Sequence, residues 1–365
     1  MIGSSLWSVI PWLIRDTFRQ ARAAGIFWLM LGVSALTIVA CLSIEVVEEP
    51  PSGAPGESEA SRIPTAQRDG AGRAVATFVA GRAAGGQGAW PVPTPLSSTD
   101  YLQVCLALQQ GPPPRGQLRL LGDMVSLEIR EDRARAVRTL QLQLAGWIAD
   151  AGGLLLALIW TAGFLPTFLD ANAVAVLLTK PLPRWLLVTG KTLGVLVFIA
   201  FQATVFVVGT WLALGCRTGV WNLTYLLCIP VLLLHFAVFF SFSGMLATAT
   251  RSTTACIFGS VVFWLLCWAT NFGRHISVLI TELQGTSPVF GSAVELGYWI
   301  LPKPLDFHIV LLDLLQADNL LVRVLDTGRL AAQGAWSPLA SIFASIVYAG
   351  VVLFVAAYDF LTAEY

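Results

Sequence analysis

The stretch TLGVLVFIAFQATVFVVGTWLALGC, residues 192–216, decides the fold of this chain because it contains no Asp, Glu, Lys or Arg. About 20 predominantly apolar residues in a helix cross the hydrocarbon core of a bilayer. Only Arg217 separates this stretch from a second uncharged run, 218–250, and only Arg251 separates that run from a third, 252–273. Three such runs in succession predict a bundle of helices that spans a membrane.

The composition of the whole chain agrees with a membrane protein. Hydrophobic residues make up 56% of the sequence and charged residues only 12%, which lies far outside the range of soluble globular domains. Further uncharged runs occur at 23–44, 151–169 and 337–358. Because the net charge is zero, no general basic field favours nucleic acid as a partner. The sequence therefore predicts an all-α integral membrane protein with six transmembrane helices.

The positions of the uncharged runs and of the charged residues between them divide the chain into predicted segments. The region 48–98 is rich in Pro, Gly, Ala and Ser and is predicted to be largely flexible, while QLRLL and MVSLEI further along are candidate short strands. The region 274–336 is too polar to cross the membrane twice, and short helices at the outer face are expected there. The segments are an interfacial helix (1–22), helix 1 (23–44), a partly ordered extracytoplasmic loop or small ectodomain (45–143), helix 2 (144–169), a cytoplasmic loop (170–190), helices 3–5 (191–273), an outer helical insertion (274–336), helix 6 (337–358) and a cytoplasmic tail (359–365).

The short connections predict the orientation, because Lys and Arg are enriched in cytoplasmic loops. In a six-span arrangement only Arg217 lies on the opposite side from the other basic residues of these connections. Both termini are therefore expected in the cytoplasm, in the cell inner (plasma) membrane, and the pattern of a cleavable signal peptide is not evident. A disulfide between Cys105 and Cys216 on the outer side is left open. The basic residues on the cytoplasmic side are Arg15, Arg19, Arg22, Lys180, Arg184, Lys191 and Arg251.

The N-terminal segment has the pattern of a helix at the membrane interface. Trp7 and Phe18 belong to an apolar face with helical spacing, and Arg15, Arg19 and Arg22 cluster on an adjacent face. Such a helix places its aromatic side chains at the acyl boundary and its arginines at the headgroups. A plain cytoplasmic lead-in would leave the aromatic anchors unexplained.

The triplet Gly190-Lys191-Thr192 has the ending of a nucleotide-binding P-loop but lacks the rest of it. A P-loop needs a glycine five positions before Gly190 so that bare backbone can wrap the phosphates, and this chain has Trp185 there. The loop should also follow a buried parallel strand, which the surrounding apolar runs do not provide. We therefore expect this chain to bind no nucleotide itself.

The loop before this triplet is basic and stiff. It contains Lys180-Pro181-Leu182-Pro183-Arg184, and the two prolines fix φ and bias their neighbours toward extended backbone. A rigid basic segment between two spans is suited to transmitting force from a cytoplasmic partner. A topology signal alone would explain the charges but not the prolines.

Here the chain resembles the permease subunits of ATP-binding-cassette (ABC) type-2 exporters. The resemblance rests on the basic entry helix, the large outer loop after helix 1, the pattern LL-x-K-P-x-x-R…GK at 177–191, three closely spaced spans and an outer insertion before helix 6. The family usually has an acidic residue and a Gly-Thr pair before the double leucine, whereas this chain has Asp170 followed by Ala-Asn-Ala-Val.

The resemblance implies an exporter in which a separate ATPase subunit supplies the energy. The loop would be the coupling helix, seated in a cleft of that subunit, which holds ATP and Mg²⁺, and a second permease copy or a paralogue would complete the transporter in the lipid bilayer. This chain would carry no cofactor. The residues implied in coupling to the ATPase are Asp170, Leu177, Leu178, Lys180, Pro181, Pro183, Arg184, Lys191 and Arg251.

No catalytic or metal-binding constellation is visible. The sequence has no H-E-x-x-H, C-x-x-C or G-x-S-x-G pattern, so an enzyme is not expected. His235 lies in the middle of an uncharged run, where an ionisable side chain usually faces the bundle interior. It is a candidate for contact with substrate or for a proton relay, and the alternative is a neutral ring hydrogen-bonded to a hydroxyl group or to Gln202.

Two other functions remain open at this point. An ion- or proton-coupled secondary transporter would use His235 as its titrating group, but such proteins show paired repeats, and the sequence has no obvious second half. A non-catalytic membrane scaffold would use the ectodomain to bind an envelope complex. A neighbouring ATPase subunit distinguishes the exporter from both.

Overall fold

The computed structural model describes residues 3–48, 64–68, 74–78, 116–120, 125–129, 133–168, 184–284, 288–316 and 337–362. The chain forms two compact units, one of residues 1–42 and 137–365 and a smaller one of residues 43–136. The helical segments are α1 (Gly3–Ala23), α2 (Ile26–Leu42), α3 (Arg133–Gln143), a π-helix (Leu144–Gly153), α4 (Leu154–Thr161), α5 (Phe164–Phe168), α6 (Arg184–Thr218), a 3-10 turn (Leu223–Leu227), α7 (Cys228–Thr250), α8 (Thr253–Gln284), α9 (Pro288–Ile300), α10 (Pro304–Leu315) and α11 (Pro338–Thr362).

Membrane-spanning helices dominate the larger unit. Within the described part of the chain, five segments are long and apolar enough to cross a membrane, and a sixth is added if the bent pair of α1 and α2 counts as one span. The predicted multi-pass helical membrane protein is thus confirmed by helix length and composition. The five segments are Arg133–Thr167, Leu186–Thr218, Leu223–Thr250, Thr253–Ser277 and Pro338–Thr362.

A glycine produces the bend between α1 and α2, whose axes differ by 74°. Gly25 has φ +76°, in the left-handed region that favours glycine. The amide of Ala24 donates to the carbonyl of Gln20 at 2.9 Å, and the amide of Gly25 donates to that of Arg22 at 3.3 Å, so the end of α1 is capped. α1 therefore lies across the start of α2 rather than continuing it.

The core of the larger unit surrounds α7. This helix is apolar on all sides, as expected for a helix buried in a bundle, and it packs against α4, α6, α8 and α11. Outward faces carry large exposed apolar side chains such as Leu36, Phe258 and Phe354. In water such faces would be unfavourable, and in a bilayer they contact the lipid chains.

Polar contacts mark the two ends of the bundle. At one end, which we call the α1 end, Gln20 Nε2 donates to Thr167 Oγ1 at 3.1 Å. At the other, which we call the α10 end, Asn222 Nδ2 donates to Gln141 Oε1 at 3.0 Å. The helix α6 runs from the α1 end to the α10 end, and α7 returns.

Two shorter helices, α9 and α10, lie between the long helices α8 and α11. α10 is apolar, packs against α7, α8, α11 and the π-helix, and buries most of its length. The helix α10 begins at Pro304, directly after its N-cap residue Lys303, and the fixed φ of proline suits the first turn of a helix. Neither helix is among the candidate spans, and α10 closes the α10 end of the bundle.

The smaller unit contains the strands. β1 (Glu45–Glu48), β4 (Gly116–Leu120) and β5 (Val125–Ile129) form an antiparallel sheet in the order β1-β4-β5, while β2 (Pro64–Arg68) pairs with β3 (Ala74–Phe78). β4 and β5 coincide with the two stretches that the sequence marks as short strands. In the region predicted to be largely flexible, 48–98, the structure describes Glu48, the last residue of β1, and the two strands β2 and β3.

Candidate functional site

The Gly190-Lys191-Thr192 triplet lies inside α6, where α1 crosses it. A methyl group on Gly190 would collide with the side chain of Leu13, and one on Gly194 would collide with Thr17 Oγ1. Glycines four residues apart allow two helices to approach closely in a membrane protein. The triplet therefore belongs to a contact between helices.

The buried charge of Lys191 stabilises this contact through hydrogen bonds to α1. Its side chain is 1% exposed, and its Nζ donates to Asp16 Oδ2 and to Gln20 Oε1, both at 2.8 Å. Because these hydrogen bonds satisfy the ammonium group, it can lie within the helix, and α6 begins at Arg184 rather than near residue 191. We call Leu13, Asp16, Thr17, Gln20, Gly190, Lys191 and Gly194 the α1–α6 joint.

The loop residues assigned to ATPase coupling lie mostly outside the described residues. Arg184 is the first residue of α6, directly after the loop. Arg251 is exposed and ends α7 with φ 52°, and its amide donates to the carbonyl of Ala247 at 3.0 Å. The residues outside the described ranges are Asp170, Leu177, Leu178, Lys180, Pro181 and Pro183.

α1 carries the residues assigned to the membrane interface. The ring of Phe18 meets that of Phe198 edge to face with centroids 5.4 Å apart. The fully buried side of the helix consists of Leu13, Thr17 and Ala21, which face the bundle. Trp7 lies within the helix, and the exposed basic residues are Arg15, Arg19 and Arg22.

A second polar feature, the pair of Asp150 and His235, lies within the spans. His235 is 1% exposed, and its Nδ1 lies 2.5 Å from Asp150 Oδ1. Its ring stacks on Phe307 at a centroid distance of 4.5 Å, and its Nε2 has no hydrogen-bond partner among the described residues. The partner of His235 is thus Asp150 and not Gln202, whose Nε2 donates to the carbonyl of Phe27 at 3.4 Å.

Asp150 was not among the residues that the sequence analysis assigned to a site. It precedes the uncharged run 151–169 and falls within the predicted helix 2 (144–169), and in the structure it is 3% exposed and lies on the π-helix. π-Helical turns often occur at functional sites. The helical spacing of Val137, Leu140 and Leu144 before it predicts a helix that continues past this acid into the second span, and the structure has this helix.

A third polar cluster, around Asp306, joins four helices at the α10 end. The carboxylate accepts hydrogen bonds from His275 Nε2 at 2.7 Å, Tyr298 OH at 2.7 Å and Ser341 Oγ at 2.5 Å. Burial by itself would raise the pKa of Asp306, but these donors together lower it below its ordinary value. The cluster connects α10 to α8, α9 and α11.

Two buried cations lie beside this cluster. Arg274 Nε donates to Glu295 at 3.2 Å, and its guanidinium lies 4.2 Å from the ring centroid of Tyr298. Lys303 is 1% exposed, with its Nζ 4.8 Å from the same centroid. Burial lowers the pKa of Lys303, and the nearby Asp306 offsets part of this effect. None of these residues was singled out from the sequence.

These centres are buried or partly buried hydrogen-bonded pairs and clusters that join helices. Within the described ranges, no group of three or more His, Cys, Asp or Glu side chains could hold a metal ion. Cys216 is an exposed thiol near the end of α6, while Cys105 lies outside those ranges. Gln202 is buried beside α2, and within the described residues its side chain makes no hydrogen bond to Asp150 or His235.

Neither family models nor curated proteins supply a relative for this chain. No protein-family model matches the chain, and a search of curated proteins found no match. The residues of the chain itself are therefore the grounds for proposing a function.

Proposed function

We propose that this chain is the membrane-spanning permease subunit of an ATP-driven ABC exporter and that a separate ATPase subunit hydrolyses ATP. The observation that carries the proposal is the α1–α6 joint, which lies directly after the stiff basic loop. The resemblance of residues 177–191 to the coupling segment of type-2 exporters supplies the identity of the partner. A second permease copy or a paralogue would complete the transporter in the inner membrane.

The joint supports this role because it makes two helices move together. Work done on the loop reaches α6 at Arg184, its first residue. Lys191 then ties α6 to Asp16 and Gln20 on α1 with hydrogen bonds of 2.8 Å. Leu13 and Thr17 on α1 pack directly against Gly190 and Gly194, so α1 cannot move along α6 unless these side chains repack. The two helices therefore respond as one body. Such a body converts a push at the membrane surface into a tilt of spans.

Replacing the loop's rigid and charged residues tests the proposal. We expect the triple variant Lys180→Ala, Pro181→Ala, Arg184→Ala to insert normally but to lower stimulation of the ATPase by the permease about tenfold, equivalent to a loss of about 1.4 kcal/mol of coupling. The measurement is the ATP hydrolysis rate of the reconstituted complex. Arg217→Ala removes a cation at the other end of α6 and should retain stimulation within about twofold. Unchanged docking and stimulation in the triple variant would contradict the role of the loop.

An ion-coupled secondary transporter is the second candidate, and the Asp150–His235 pair favours it. Ionisable residues within spans commonly mark ion or proton pathways. Transport that continues without any ATPase and disappears in His235→Ala would support this candidate. Transport that requires the ATPase would support the exporter instead.

A further inference from the structure

A cavity beside the Asp150–His235 pair has the lining of a cation site. Its volume is about 270 Å³, and it lies between the π-helix, α7, α8 and α10. For comparison, an engineered apolar cavity of about 150 Å³ accommodates benzene. The cavity thus has room for one aromatic ring with a short chain. Its polar and aromatic lining consists of Trp147, Asp150, His235, Trp264, Trp268 and His308.

The hydrogen bond within the pair determines what the cavity offers to a ligand. In the tautomer in which His235 donates through Nδ1 to the Asp150 carboxylate, Nε2 is left as an acceptor. Nε2 is buried and has no hydrogen-bond partner among the described residues. A buried acceptor beside a carboxylate calls for a ligand that donates a hydrogen bond and carries positive charge.

The surrounding rings favour the same ligand. Tryptophan faces attract cations through the ring quadrupole, more strongly where water is excluded. Burial lowers the pKa of His308 and Asp150 only partly offsets this effect, so His308 does not supply a competing positive charge at neutral pH. The cavity therefore combines the Asp150 carboxylate, the buried Nε2 of His235 and three tryptophan side chains.

Two of the residues that line the cavity are about half-exposed on the surface of the bundle. Trp147 is 49% exposed and Leu265 is 51% exposed, although both line it. A second, smaller cavity of about 80 Å³ lies on the other side of Asp150 and is lined largely by apolar residues with Gln202. A molecule that enters from the bilayer must be lipophilic, with its charge confined to one end.

We propose that this cavity binds a small lipophilic primary amine as its ammonium ion. The ammonium group approaches Asp150 and donates to His235 Nε2, while the apolar part lies among the tryptophan rings. The binding site is a property of this chain alone. Only its role as the site for transported cargo rests on the proposed permease function.

Binding to the purified chain tests the site. The chain is placed in lipid nanodiscs without ATPase or ATP and titrated calorimetrically with 2-phenylethylamine, with empty nanodiscs as the blank. We expect saturable binding at one site per chain, and binding of the neutral isostere 2-phenylethanol at least about tenfold weaker because it lacks the charge. Absence of saturable binding, or equal binding of the alcohol, would overturn the proposal.

Two substitutions test whether amine binding depends on the charge of Asp150. Asp150→Asn keeps an acceptor for His235 but removes the charge, and it should weaken amine binding about tenfold or more. Asp359→Asn removes an exposed carboxylate on α11 and should leave binding within about twofold. Equal affinity in the wild type and in Asp150→Asn would contradict the site.

Photolabelling gives a result that needs no variant. An aryl-azide derivative of the amine should label peptides that contain Trp147 or Trp264, and excess 2-phenylethylamine should suppress this labelling. Labelling confined to other segments would exclude the cavity. Because these assays contain no ATPase, their failure leaves the permease proposal intact, and failure of ATPase docking leaves the amine site intact.

Discussion

Asp16→Leu is expected to lower the free energy of unfolding by about 2 kcal/mol, whereas Lys191→Met is expected to change it by less than about 1 kcal/mol. Asp16→Leu removes the carboxylate 2.8 Å from a buried ammonium group, which stays in the contact. Lys191→Met removes the buried charge itself and leaves a carboxylate that is 42% exposed and can be solvated. The exposure of Asp16 is also why the cost of Asp16→Leu lies below the value of about 3 to 5 kcal/mol typical of fully buried pairs.

Chemical unfolding in mixed detergent micelles measures both costs, and ATPase stimulation in the reconstituted complex measures coupling. Both variants should lower stimulation about tenfold, because each removes the ion pair between Lys191 on α6 and Asp16 on α1. Arg19→Leu, on the exposed side of α1, is the matched control and should change stability by less than about 0.5 kcal/mol. Equal costs for Asp16→Leu and Lys191→Met would show that the joint is not held by the buried charge.

Breaking the Asp150–His235 pair should have the largest effect on stability. We expect Asp150→Leu and His235→Leu each to cost about 3 kcal/mol, because each leaves a buried polar group without its partner. The double variant should cost about 2 kcal/mol less than the two single costs combined, since two leucines leave no buried polar group without its hydrogen-bond partner. A double-mutant cycle of unfolding free energies gives this coupling energy directly.

The control for this cycle pairs two residues that do not touch. Asp359→Leu on α11, combined with His235→Leu, should give additive costs. If the Asp150 and His235 substitutions were also additive, the hydrogen bond between them would contribute nothing to stability. Purification yield and circular dichroism identify any variant that fails to insert.

The sequence predicts the membrane-spanning helices well and their ends less well, for one physical reason. Uncharged runs are a direct consequence of the bilayer core, so the helices around 192–273 follow from composition. Several ends were taken at or beside charged residues, and two of these residues, Lys191 and Arg274, lie inside helices. Lys191 pairs with Asp16, and Arg274 pairs with Glu295. A paired charge does not end a buried helix, and the pairing is visible only in three dimensions.

The same limit explains which site residues escaped sequence analysis. His235 was recognisable because it stands alone in an apolar run. Its partner Asp150 comes from a distant segment, 85 positions away. Asp306 likewise combines donors from three other helices, including Ser341 at a separation of 35 positions. Contacts of this kind depend on helix packing, and a single sequence does not display them.

The glycines of the α1–α6 joint show how one motif has two readings. Gly190 and Lys191 fit both the end of a P-loop and the close approach of two helices. The missing glycine at Trp185 excludes the first reading from sequence alone. Contact of Gly190 with Leu13 and of Gly194 with Thr17 establishes the second.

Crosslinking between the loop and a partner chain is the most direct test of whether this protein receives work from a separate ATPase. Leu182→Cys places a thiol between the two loop prolines, and the native Cys216, exposed near the opposite end of α6, serves as the internal control. The tagged chain is purified from native membranes after treatment with a thiol-reactive crosslinker. We predict a crosslink from position 182 to a soluble subunit that binds ATP, and none from Cys216. Purification without any ATPase, or labelling of position 182 only from the outer face, would contradict the proposed function.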